Sequence, residues 1–252
     1  MSPDRQEIVV CRMGRLPYEP AWALQRKLQA RLIEAKKEKP RQFPPHVMLF
    51  VEHPPVYTLG KSGDAANLLI DDDGLEATGA TFVHIDRGGD ITYHGPGQLV
   101  GYPILDMDRI YRDVHRYLRD LEEVIIRTCA LYGLGAGRVE GRTGVWIGPD
   151  ARGPERKICA MGIRFSRWVT MHGFAFNMNT DLERYGAIVP CGISDRGVTS
   201  LAAELGVSVD EREVQDRVLA QFTEIFPLHA RLLERTDAEP FIEAYLAADT
   251  VA

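Results

Sequence analysis

The sequence predicts one α+β domain built on an antiparallel or mixed sheet. Three observations carry that expectation. Short apolar runs recur between Gly- and Pro-rich turns, at residues 7–13, 46–52, 81–86, 99–105, 145–147, 157–165 and 171–177. Two longer stretches, 18–39 and 111–132, place apolar residues at helical spacing. After Thr199 the chain turns helical, over 200–205, 210–226 and 239–247. No repeat, low-complexity tract or linker interrupts the chain, so a single domain over 1–252 is expected.

Each element has a local reason. In 18–39, Leu24, Leu28 and Leu32 recur at i+4, and the lysines at 36, 37 and 39 suit the negative end of a helix. Pro40 ends it. The stretch 53–63, with Pro54 and Pro55, reads as a loop. Residues 67–70 read as a short helix, and Asp71-Asp72-Asp73-Gly74 as a solvated turn. In 111–132, Val114, Leu118, Leu121, Val124, Ile125 and Leu131 share a face, with Gly133 as a C-terminal cap. A two-residue turn at Ser166-Arg167 joins two strands, and 181–185 is a helical turn. Asp210 and Glu213 form a capping-box pattern, and Pro240 suits the first position of the last helix.

Bulk properties exclude several classes. A formal charge of −6 gives no global nucleic-acid signature, although 24 of 30 cations are arginine and a local basic patch is open. No apolar run approaches a membrane span, and the first residues lack the pattern of a secretion signal. Cys11, Cys129, Cys159 and Cys191 show no CxxC spacing, so neither a zinc site nor a disulfide framework is expected; a reduced, cytoplasmic setting is. Phosphate-binding GxGxxG and GxxxxGK[ST] loops are lacking.

Two regions carry chemistry. The first follows the strand at 81–86: Arg87-Gly88-Gly89-Asp90-Ile91-Thr92-Tyr93-His94-Gly95-Pro96-Gly97-Gln98. Glycines there let backbone approach a ligand, and the arginine, tyrosine and histidine among them favour a binding loop over a plain hairpin. The second runs from Arg142 to Ser200. Lys157 is the only lysine in the last 191 residues, against eighteen arginines. A lysine can surrender its proton where an arginine cannot, though an ordinary exposed strand lysine would look the same. Cys191, between Pro190 and Gly192, lies in a turn and is a better nucleophile candidate than the cysteines of the helix or strands. It could pair with Lys157, with His172 or His94 as an alternative base, or be structural.

The blocks RGGDITYHGPGQLVGYPI, KICAMGIR, WVTMHGFAFNMN and PCGIxxxGVTSL resemble, in order, the signature of the octanoyltransferases (lipoate-protein ligase B), over about residues 18–226. The resemblance implies a cytoplasmic acyltransferase with a central mixed β-sheet flanked by helices, like the catalytic domains of biotin protein ligase and lipoate-protein ligase A. It implies an octanoyl (or lipoyl) group taken from acyl carrier protein and given to a lysine of lipoyl domains, in dehydrogenase-complex E2 subunits and the glycine cleavage H protein. No cofactor, metal, nucleic acid or membrane is implied. Cys191 is the implied thioester nucleophile and Lys157 the general acid/base. Arg87, Gly88, Gly89, Asp90, Ile91, Thr92, Tyr93 and His94 would line the acyl and carrier site. Ala160, Met161, Gly162, Gly173, Phe174 and Ala175 would form further walls, with His172 and Thr143 as polar neighbours. Backbone N–H groups near Cys191 or in the glycine-rich loop would hold the oxyanion. An arginine patch for the acidic carrier is expected at Arg87, Arg156 and Arg164. The alternative is an ATP-dependent lipoate or biotin ligase on the same fold.

Overall fold

The structure is a computed structural model that describes residues 6–189 and 197–248. Its strands are β1 (Gln6–Arg15), β2 (His46–Glu52), β3 (Val56–Leu59), β4 (Thr81–His84), β5 (Ile91–His94), β6 (Gln98–Ile104), β7 (Ala136–Gly137), β8 (Val145–Ile147), β9 (Arg156–Ser166), β10 (Val169–Asn177), β11 (Gly197–Val198) and β12 (Leu228–Glu234). The helices are α1 (Tyr18–Ala35), α2 (Asp72–Thr78), α3 (Val114–Ala130), α4 (Leu201–Leu205), α5 (Glu211–Ile225) and α6 (Arg235–Ala247).

Alternation along the central strands sets the layers. Ile8 and Val10 of β1, with Met48 and Phe50 of β2, face α3 and α5. Val9 and Cys11, with Val47, Leu49 and Val51, face α1 and α6. Both faces are covered, which is why these strands read as unbroken apolar runs. Among the described residues the main sheet runs β12-β1-β2-β6-β10-β9-β8-β7, with β11 added on β9. β1 is parallel to β2 and β12, and β2-β6-β10-β9-β8-β7 are antiparallel, so the sheet is mixed. A second sheet, β4-β3-β5, stands beside it.

α3 buries Tyr117, Leu121, Val124, Ile125, Thr128 and Cys129 at spacings of three and four. It begins at Val114 because Asp113 caps it, accepting a hydrogen bond from the Arg116 N–H. Val114 and Leu131, at its two ends, are exposed and outside the buried stripe. Asp210 likewise caps α5 through the N–H groups of Arg212 and Glu213. Glu213 pairs instead with Arg217, so only half of the capping box forms. β9 and β10 meet in a two-residue turn at Arg167-Trp168, both at positive φ, the geometry that suits the twist of a tight hairpin.

Several elements differ from the sequence expectation. α1 stops at Ala35, short of residue 39, where Lys36 turns back to Asp106 and Asp108. The stretch 53–63 contains a buried strand, β3, whose four residues follow two prolines. The acidic run at 71–74 starts a helix: Asp71 caps α2 through the Gly74 N–H, and Asp72 and Asp73 sit at its positive end. The short helical turn lies at Ala65–Asn67 under an Asp64 cap, not at 67–70. β12, parallel to β1, precedes α6, and Pro240 lies inside α6 rather than at its first position.

Candidate functional site

A cavity of about 480 Å³ opens where β9 and β10 of the main sheet face β5 and the loop before it. Its β9–β10 wall is narrow by composition. Ala160 pairs with Ala175 and Gly162 with Gly173 across the ladder. A Cβ on Gly162 would collide with the Arg87 side chain, and one on Gly173 with the Gly101 carbonyl. Met161 and Phe174 line the cavity too, but pack with the α3/α5 core.

The opposite wall is the glycine-rich loop. The Arg87 guanidinium donates to the carbonyls of Gly88 and Asp90, each at 2.8 Å. Asp90 in turn accepts from Asn67 Nδ2 at 2.7 Å. The loop's turn is tight enough that a Cβ on Gly60 would strike the Gly89 carbonyl. Arg87 through Thr92, and His94, line the cavity. Tyr93 does not: strand alternation turns its ring between Tyr57 and Tyr185, at centroid distances of 5.3 and 5.6 Å.

The closed side is a buried polar and aromatic layer that sequence reading missed. Tyr18 stacks on His94 at 5.7 Å and tilts against His53 at 5.1 Å, and His53 Nε2 lies 2.8 Å from the Tyr102 hydroxyl. Gln98 Nε2 donates to Asn177 Oδ1 and Tyr185, so its oxygen accepts from His94 Nδ1 at 2.8 Å. Burial pushes the His94 pKa down to about 3, helped by His53. Burial also lowers His172, although Asp86 opposes it. Partial burial pushes the Asp86 carboxyl up, but His172, Arg164 and the Trp22 N–H together hold it below the usual range. Asp86 is therefore an ionised acceptor, and His172 donates to it from Nε2 at 2.9 Å. His172 Nδ1 is left as a buried acceptor with no hydrogen bond. His172 itself has φ 59, and its N–H leaves the ladder for Gln25 Oε1 on α1, at 3.0 Å.

Lys157 stands at the other end of β9, in the cavity wall with Arg142 and Thr143. Val198 of β11 pairs with it, and the Thr199 N–H donates to its carbonyl at 2.9 Å. Cys191 lies outside the described residues. The flanking Tyr185 and Val198 both line the cavity. Burial pushes the thiols of Cys11 and Cys129 up to about 12 and that of Cys159 well above its ordinary value, so these three are core side chains.

Each arginine of the expected patch has a partner within the chain. Arg156 is bound to Glu204 and Asp150, Arg164 to Asp86, and Arg87 to its own loop. Arg142, which lines the cavity, was not singled out; its GRTG context was the available signal. Among the described residues no cluster of His, Cys, Asp or Glu is placed to hold a metal, and no helix is long and apolar enough to cross a membrane.

The lipoyl protein ligase A/B catalytic domain matches residues 17–223. An octanoyltransferase of Flavobacterium psychrophilum is 53% identical over 222 residues, covering 85% of this chain and 94% of that protein. One from Christiangramia forsetii is 52% identical, covering 88% and 96%. In fold, the chain is similar to the bipartite lipoate protein ligase of Thermoplasma acidophilum, with a TM-score of 0.69 at 19% identity over 96% of this chain and 92% of that one. It is also similar to a lipoate-protein ligase A solved with ATP, with a TM-score of 0.64 at 17% identity over 96% and 94%. By sequence, the chain belongs to the octanoyltransferases of the lipoyl protein ligase A/B catalytic-domain family.

Proposed function

We propose that the chain moves an octanoyl group from acyl carrier protein to a lysine of lipoyl domains, through a thioester on Cys191, with Lys157 as acid and base. The observation that carries this reading is Lys157 in the wall of a cavity whose neighbouring strands meet as Ala160–Ala175 and Gly162–Gly173. Such a slot accepts a straight acyl chain.

The chemistry balances without a nucleotide. The Cys191 thiolate attacks the donor thioester, and the departing carrier thiolate takes a proton from the Lys157 ammonium. Lys157 is then neutral. The acceptor lysine, entering as a free amine, attacks the Cys191 thioester and gives one proton to Lys157. The amide leaves, and thiolate and ammonium are restored. The first exchange is nearly neutral in energy, and conversion of thioester to amide is downhill. A base of this kind contributes about 10²–10⁴-fold.

The histidines are less suited to the same role. His94 commits Nδ1 to Gln98 and faces the Thr58 hydroxyl with Nε2, while His172 is committed to Asp86. Acceptors would be E2 lipoyl domains and the glycine cleavage H protein, and a cytoplasmic setting would keep Cys191 reduced. The test is an ATP-free reaction of the full chain with octanoyl carrier protein and an apo lipoyl domain, read by the acceptor's intact mass. Octanoylation supports the reading. A requirement for ATP and free octanoate would favour a ligase.

A further inference from the structure

Lys157 has a partner that the proposed acid–base chemistry does not name. Trp146 of β8 is its direct register partner on β9, next to a shift in the ladder between Val145 and Trp146. The Lys157 Nζ lies 4.7 Å from the indole centroid. Trp146 is only 3% exposed and Lys157 is half-buried, so the contact is partly shielded from water, where attraction between a cation and a π face is stronger than at an exposed site. A buried indole N–H usually finds an acceptor, yet the Trp146 Nε1 has none. The ring is therefore not oriented by a hydrogen bond from its own nitrogen.

Gly144 completes the clamp. Its φ of 111 requires glycine, and a Cβ there would lie 2.5 Å from the Cys159 carbonyl and 3.5 Å from Lys157 Cε. The Gly144 N–H donates to Glu122 Oε1 at 3.0 Å. Glu122, fully buried on α3, is held in turn by Arg119 and Arg138. The lysine stem thus runs past a fixed turn to a fixed aromatic face.

We propose that Trp146 is a positioning residue for Lys157 that also sets how tightly the amine holds its proton. Attraction to the indole face acts on the ammonium and vanishes for the neutral amine, so it raises proton affinity. Among the described residues, other titratable or charged groups around the lysine include Cys159 on its own strand, Glu122 behind Gly144, and Arg142 and Tyr185 in the same cavity wall. Cys191 lies outside the described residues. The proposal rests on the reading of Lys157 as the acid–base group. It adds that Trp146 favours the ammonium of the resting state, the form that donates to the departing carrier thiol.

The test titrates the lysine directly. Full-length protein carrying ¹³Cε-lysine is followed by NMR across pH, with the Lys157 resonance assigned by its loss in Lys157→Arg. Trp146→Leu should lower the Lys157 midpoint by about half a unit to one unit, equivalent to roughly three- to tenfold in proton affinity. Trp146→Phe keeps a weaker π face and should fall between the two. If Trp146→Leu does not fold, the Phe variant alone decides: a midpoint equal to wild type overturns the proposal. The alkaline limb of acyl-enzyme formation, where Lys157 loses the proton it donates, should move down with the midpoint. Because the titration needs no substrate, failure of octanoyl transfer would contradict the proposed function and leave the titration standing. An unchanged midpoint with intact transfer would overturn the role of Trp146 alone.

Discussion

The two ends of the cavity use titratable groups in opposite ways. At one end Lys157 lies against an indole face and beside a glycine turn. At the other, His53, His94 and Tyr102 form a buried layer whose groups hydrogen-bond to one another and to the surrounding chain. Burial drives His53 down to about 4 and His94 to about 3, so both are neutral near pH 7. Titratable residues in a cavity are therefore not equivalent. The histidine end is architecture, and in the mechanism we propose the lysine end carries the proton transfer.

The sharpest way to break that contrast is Lys157→Arg. It keeps a cation but removes a proton that can be exchanged at neutral pH. We expect octanoyl transfer to fall about 10²–10⁴-fold, measured as kcat/KM, with stability little changed. Near-full activity would remove Lys157 from the chemistry.

The histidine end should announce itself in stability. A histidine whose folded pKa lies below its ordinary value binds fewer protons folded than unfolded. Its contribution is complete above about pH 6.5 and is lost as pH falls toward its folded value of about 3 for His94 or about 4 for His53. At pH 5 each should cost on the order of 2 kcal/mol relative to pH 7.5. Urea unfolding at the two pH values checks this, and His94→Gln should reduce the difference. Equal stability at both values would mean that the layer is hydrated and titrates normally.

A smaller effect tests the slot between the ends. Gly162→Leu should fill space where Arg87 now passes, and weaken octanoyl transfer by about 1–3 kcal/mol while sparing a shorter acyl donor. An equal loss for both donors would point to a disturbed fold instead.

How much of this was readable in advance follows from the distance over which each feature is determined. Helix α3 and strand β2 depend on local periodicity and were readable nearly to their ends. Strand β3 depends on β4 and β5, which enclose four residues that look like a proline-rich loop. Lys157 was visible as the only lysine of the last 191 residues. Its indole partner was not, because a register between β8 and β9 created the pair. Tyr18, His53 and Tyr102 come from three separate parts of the chain, and each alone resembles an ordinary core residue. The placement of Tyr93 is hidden for the opposite reason: it belongs to the cavity loop, but its ring packs between Tyr57 and Tyr185. The ion pairs of Arg156 with Glu204 and of Arg164 with Asp86 are not legible in the sequence, because the partners lie far away along the chain.

The most direct test of covalent transfer is the intact mass of the full chain after incubation with octanoyl carrier protein and no acceptor. We expect one octanoyl adduct on the wild-type protein, absent from Cys191→Ala and discharged when an apo lipoyl domain is added. An adduct that persists in Cys191→Ala, or transfer that proceeds at the wild-type rate in that variant, would contradict the thioester route.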